Sequence, residues 1–188
     1  MSPHILKLDV SGSPVEWIAW QEAATLYARD RVKWEAGETT FVVRGGQRRD
    51  GQQSILALNS IIAVADRGHR FDKRRAPPLT NRALFQRDGH LCLYCGTKHG
   101  PAGLTRDHVV PTSRGGRNVW TNVASACSKC NHHKRDRTPE QAGMRLLAVP
   151  YEPDPARYLL LVMSGRKITA DQQAWLESCA NPLQKAMQ

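Results

Sequence analysis

Two cysteine pairs, "CLYC" at Cys92 and Cys95 and "CSKC" at Cys127 and Cys130, limit what this chain can fold into more than any other feature. Each C-x-x-C places two thiolates on one tight turn, where both reach the same tetrahedral ion. Two such turns brought together close a four-sulfur shell, the donor set that suits zinc. The pairs are separated by 31 residues, so the chain between them must hold structure of its own and return to its starting point. A four-cysteine iron–sulfur cluster uses the same ligands, but nothing else in the chain resembles a redox module. A zinc ion ringed by four thiolates has no open position for substrate, so it acts as a staple and any catalysis lies elsewhere. Its binding energy is also folding energy, which matters for a small segment with little core. The fifth cysteine, Cys179, stands alone. An odd count with no secretory leader argues against a disulfide framework.

The 188 residues suit one ordinary domain or two small ones. No stretch approaches the roughly 20 consecutive apolar residues of a membrane span, and the start, "MSPHILKLDV", lacks a basic end followed by a long apolar run. The expectation is a soluble cytoplasmic protein with no membrane partner. The formal net charge is +10, and all of it lies between Asp66 and Arg137, with fifteen Lys/Arg against five Asp/Glu; the rest of the chain has twelve of each. A solvated face produces such an excess, and so does a polyanion-binding surface; this concentration in one segment favours the second, with phosphate as the target.

The expected fold class is α+β, in four parts. Residues 1–66 read as a small mixed accessory domain: "ILKLDV" alternates like a strand, "VEWIAWQEAATLYARD" has helical spacing through Trp17, Trp20 and Tyr27, and "TTFVVR" is strand-like before a turn-rich "GGQRRDGQQ". Trp17, Trp20 and Tyr27 are expected in the core. "SILALNSIIAVAD" makes one strand or two. Residues 67–79 read as a basic linker closed by Pro77-Pro78. Residues 80–148 form the metal-stapled core, opened by a short helix capped by Thr80 and stopped by Gly89. Residues 149–188 are expected as a helical extension, its last helix started by Thr169 with Gln172. "RTPEQAGMRLL" has the same signature, Thr138 with Gln141, and predicts a further helix after the second cysteine pair.

Between the pairs, "LTRDHVV" reads as a strand, "PTSRGGR" as a loop, "NVWTNVASAC" as a second strand with Trp120 and Val123 in the core, and "CNHHKRDRT" as a helix start. The succession D-H-x-x-P-x-S-x-G-G, an Asn in the second strand, then C-x-x-C-N-x-x-K resembles the HNH endonuclease family, whose core is the ββα-metal fold. "RTPEQAGMRLL" resembles the tail of a bacterial subgroup of that family, as does a strand such as "ILKLDVSGSPV" ahead of a basic linker. The likeness is strong over about residues 80–148, weaker over 1–79, and specifies nothing beyond 150.

The resemblance implies a role for each matching position. His108 matches the general base that activates water. Asp107 matches a ligand of the catalytic divalent ion, and Asn131 the position that completes that ion's site. Asn122 matches the middle asparagine, which holds the loop and orients the histidine. A carboxylate and an amide oxygen are hard ligands that suit Mg²⁺ or Mn²⁺, and neutral imidazole takes a proton from water near pH 7. His132 and His133 depart from the signature; either adds a ligand that would admit Ni²⁺, Co²⁺ or Zn²⁺, or both are exposed helix histidines. His90 and His99 read as surface residues. Lys134, Arg135 and Arg137 are expected to grip phosphates, with Arg114 and Arg117 as phosphate or groove contacts. The expected partner is DNA, as duplex. No coiled-coil heptad signals dimerisation, so a homodimer is left open. A non-catalytic zinc module that binds nucleic acid, and a nuclease acting on RNA, are the competing readings.

Overall fold

The structure, a computed structural model, describes residues 3–47, 49, 51–65 and 76–180. Residues 67–75 of the expected basic linker lie outside the described residues. The chain divides into two compact units, one of Met1–Arg75 with Pro155–Gln188, the other of Ala76–Asp154. The class is α+β.

The first unit is a four-stranded sheet in the order β2-β1-β4-β3, formed by β1 (His4–Asp9), β2 (Pro14–Ala19), β3 (Val32–Gln47) and β4 (Gln53–Val64). β1 runs antiparallel to β2 and parallel to β4, and β3 pairs antiparallel with β4. The central strands are buried on both faces, which is why they read as nearly continuous apolar runs. Leu6, Leu8, Ile61 and Ala63 face α4 (Pro155–Met163) and α5 (Ala170–Cys179). Ile5, Ile18, Leu58, Ile62 and Val64 face α1 (Trp20–Ala28). Lys7 breaks the run in sequence, but its ammonium reaches Glu16 on the neighbouring strand at 2.8 Å. Trp17, Trp20 and Tyr27 all pack on these cores, as expected. Trp17 does so from β2 rather than from a helix: "PVEWIA" pairs with β1 along its whole length, and the helix starts only at Trp20. β4 is one strand, and β3 continues through Gly45 and Gly46, residues that read in sequence as a turn.

The C-terminal helices lie in this first unit rather than in an extension of their own. Gln172, 1% exposed, donates to the carbonyls of His4 and Ser60, at 2.8 and 2.7 Å. The capping box at Thr169 and Gln172 forms as its sequence implies. No helix among the described residues is long and apolar enough to cross a membrane.

In the second unit, α2 (Asn81–Arg87) is capped by the Thr80 hydroxyl, which accepts from the Ala83 amide at 3.2 Å. Its last residue, Arg87, is 8% exposed and donates to the carbonyls of Trp120, Val123 and Tyr151 at 2.8, 2.7 and 2.9 Å. Asp88 pairs with that guanidinium at 2.8 Å and accepts from the Ser125 amide. This charged hub fastens α2 to the antiparallel hairpin of β5 (Leu104–His108) and β6 (Val123–Cys127), which continues into α3 (Ser128–Lys134). Leu84, Phe85, Leu93, Leu104, Trp120 and Val123 are buried around it. The helix expected from "RTPEQAGMRLL" is a single turn. Thr138 and Gln141 exchange the capping hydrogen bonds, but Gly143 then takes φ +65° and ends the turn.

Candidate active site and metal centre

The cysteine site forms from two local turns. Gly96, at φ +73°, donates to the Cys92 carbonyl at 2.8 Å, and Cys92 donates to the Thr97 carbonyl at 3.0 Å, folding the first knuckle. Cys127 ends β6 and caps α3, its sulfur accepting from the Cys130 amide at 3.5 Å. The four sulfurs lie within 4.8 Å of one another, and among the described residues they are the group of His, Cys, Asp and Glu placed to hold a metal ion. A tetrahedron with Zn–S bonds about 2.3 Å long spaces its sulfurs about 3.8 Å apart, so four thiolates at this separation fit one ion with little adjustment. Hydrogen bonds from Thr97 lower the Cys95 thiol to about 6, whereas burial, followed by the neighbouring cysteines, pushes Cys130 up. His90 and His99 are half-buried rather than on the surface.

The Asp107-His108 pair sits at the end of β5, and strand alternation sends its two side chains to opposite faces. Thr105 and Asp107 face α3. Asn131 donates its amide N–H to the Thr105 hydroxyl at 2.9 Å. Asp107, 5% exposed, accepts from Lys134 Nζ at 3.1 Å and from the Tyr94 hydroxyl at 2.5 Å. Burial, then the hydrogen bond to Asp107, hold Tyr94 far above the ordinary phenol range, so it remains a donor. Asp107 and Asn131 therefore lie on the same side of the hairpin. A carboxylate has about four acceptor sites, of which Lys134 and Tyr94 take two. Asn131 spends its nitrogen on Thr105, so its side-chain oxygen and the remaining acceptor positions of Asp107 are hard oxygen donors on this face, with the Lys134 ammonium already beside the carboxylate.

Lys134 corrects the sequence reading. It was expected among the cations gripping phosphate, but it has no exposed surface and donates to Asp107 and, at 2.7 Å, to the His108 carbonyl. Its position one turn after Asn131 on α3 aims it back at β5. Replacing Lys134 by methionine strands a buried carboxylate, and breaking such a pair costs about 3–5 kcal/mol. Urea denaturation of the variant should show a loss of that order; a midpoint equal to the parent's would mean that the pair is not formed in solution.

Asn122 ties the loop together. Its side-chain oxygen accepts from the Val110 amide at 2.9 Å, and its nitrogen donates to the carbonyls of Val110 and Arg117 at 3.1 and 2.9 Å. Gly116 closes this loop where no side chain fits: a Cβ there would lie 1.8 Å from the Val110 carbonyl oxygen. The imidazole contact comes from a residue that the sequence reading did not single out. Asn118 Oδ1 lies 3.1 Å from His108 Nε2 and accepts from Arg106 at the same distance. Nothing in the motif spacing distinguishes Asn118 from a loop asparagine; only alternation, which puts Arg106 and His108 on one face, hints at a shared partner.

Of the other expected phosphate contacts, Arg114 is exposed and donates to Gln141 at 2.9 Å, and Arg137 turns back to the carbonyls of His133 and Lys134 at the end of α3. Arg117 and Arg135 are exposed. Arg114, His132, His133, Arg135, Asp136 and Arg137 line one open cleft. His133 bonds the Ala142 carbonyl at 3.3 Å, and neither His132 nor His133 joins Asp107 in a cluster of metal-ligating groups among the described residues.

This ββα hairpin-and-helix, with four clustered cysteines, carries Asp107, His108, Asn122 and Asn131, the residues on which the resemblance to HNH endonucleases rests. Residues 92–147 match the family model described as HNH endonuclease, which bears out the resemblance read from the motif. Among solved structures the chain is similar to the type II-C Cas9 enzyme from Actinomyces naeslundii, at 21% identity and a TM-score of 0.29. That likeness covers 58% of this chain and 14% of that one, so the chain spans a small part of the enzyme's length. No curated protein matches.

Proposed function

We propose that this protein is a metal-dependent endonuclease that hydrolyses phosphodiester bonds in DNA. The observation that carries the reading is the position of Asp107, His108, Asn122 and Asn131 in one ββα unit inside the family-matched segment. His108 takes the proton from the attacking water. Asp107 and Asn131 hold Mg²⁺ or Mn²⁺, which when bound neutralises charge on the phosphate and the leaving oxygen. Asn122 keeps the Val110–Arg117 loop in shape, so that phosphate approaches over backbone rather than bulky side chains. Arg114, Arg117, Arg135 and Arg137 supply the cationic rim. Cys92, Cys95, Cys127 and Cys130 hold a structural zinc that takes no part in the chemistry. One centre cuts one strand, so a monomer nicks.

The test is to incubate the protein with supercoiled plasmid, linear duplex, single-stranded DNA and RNA, each with Mg²⁺, Mn²⁺, Ni²⁺ or EDTA. Nicked plasmid appearing only with a divalent ion is the expected result. Binding without cleavage under every ion would make this a non-catalytic module, and cleavage of RNA alone would reassign the substrate.

A further inference from the structure

We infer that Asn118, backed by Arg106, sets the tautomer of His108 and hence which ring nitrogen is free to accept a proton. This rests on the nuclease reading for its catalytic meaning, though not for its geometry. A guanidinium carries donors only, so the Asn118 atom that meets Arg106 at 3.1 Å must be the amide oxygen. That contact removes the usual ambiguity between the two ends of an asparagine amide. The same oxygen lies 3.1 Å from His108 Nε2. An amide oxygen accepts only, so Nε2 carries the hydrogen, and in the neutral ring Nδ1 holds the lone pair.

Arg106 is anchored to backbone, and Asn118 sits in a loop whose neighbouring residues are held. Arg106 also donates to the Leu79 carbonyl at 3.1 Å, just before the Thr80 cap of α2. Asn118 follows Arg117, whose carbonyl is held by Asn122, and precedes Trp120, 1% exposed, by two residues. The backbone on either side of Asn118 is therefore held, and Arg106 orients its side-chain oxygen. Asn122 shapes that loop, and Asn118 is the positioning residue for the ring.

The experiment is long-range ¹H–¹⁵N spectroscopy of the histidine rings, alongside plasmid-nicking kinetics, for the full chain and for Asn118→Ala and Asn118→Asp. In the parent, His108 is expected as the Nε2–H tautomer. Asn118→Ala should give a mixture of tautomers and lower kcat by about 10–100-fold, the usual cost of losing a group that orients a histidine, with KM and zinc content unchanged. Asn118→Asp keeps an acceptor for both Arg106 and Nε2–H and should restore the tautomer and most of kcat. An Nδ1–H tautomer in the parent, an alanine variant with unaltered tautomer and kcat, or an aspartate variant as impaired as the alanine one would each overturn the assignment. The parent spectrum needs no catalysis, so a correct tautomer in a protein that cuts nothing would leave the positioning intact and defeat only the nuclease reading.

Discussion

Replacing His108 by alanine is expected to slow plasmid nicking by about 10²–10⁴-fold, the range that a positioned general base contributes. The change should leave folding, bound zinc and DNA affinity nearly untouched, and the structure gives the reasons. His108 is half-buried, and its side chain makes an exposed hydrogen bond to Asn118. The tie to Lys134 runs through the His108 backbone carbonyl, which alanine keeps. The cysteine sulfurs belong to other turns. A loss of rate with unchanged binding separates a catalytic centre from a surface that merely attracts phosphate. If the alanine variant cut as fast as the parent, another group would have to take the water's proton, and the proposed mechanism would fall.

Removing the zinc is expected to have the largest effect on stability. Structural zinc in small cysteine-ligated modules contributes about 10–16 kcal/mol, against a net stability of about 5–15 kcal/mol for a whole domain. The second unit would depend heavily on such an ion, because Cys92 and Cys127 are themselves part of its buried core. Without an ion, four thiols within 4.8 Å have no reason to stay together, and Cys95, shifted to about 6, would add negative charge. A strong chelator, or Cys127→Ser, should therefore expose amides throughout residues 76–154 to hydrogen exchange. Amides of the N-terminal sheet should stay protected, since its two cores are built from residues of the other unit alone. Full protection of residues 76–154 after complete zinc removal would refute the staple assignment.

Local chemistry made much of the second unit legible. C-x-x-C spacing is a short-range constraint, so the cysteine cluster follows from four letters at a time. The Thr80 cap and the Gly89 stop of α2 are likewise local, as is the alternation that defines β5. Sequence reasoning failed where a partner came from elsewhere in the chain. "PVEWIA" has helical spacing when Trp17 is read with Trp20 and Tyr27, but pairing with β1 makes it a strand. The capping signature at Thr138 and Gln141 forms its hydrogen bonds, yet no tertiary face rewards further helix and Gly143 ends it after one turn. Lys134 looked like one more solvent cation in a basic run, and charge patterning carries no information about which lysine turns inward.

By itself, the sequence determined the metal-binding chemistry, the strand–loop–strand–helix order of the core, and the residues of the HNH signature, because each is encoded in residues adjacent in the chain. Tertiary structure alone decided three things. It folded residues 155–179 onto the N-terminal sheet, where Gln172 satisfies carbonyls of two strands. It buried Lys134 against Asp107, so the expected phosphate contact became the counter-ion of the expected metal ligand. And it gave the imidazole of His108 to Asn118 rather than Asn122, since the hand of the strand and the path of one loop choose which amide faces the ring.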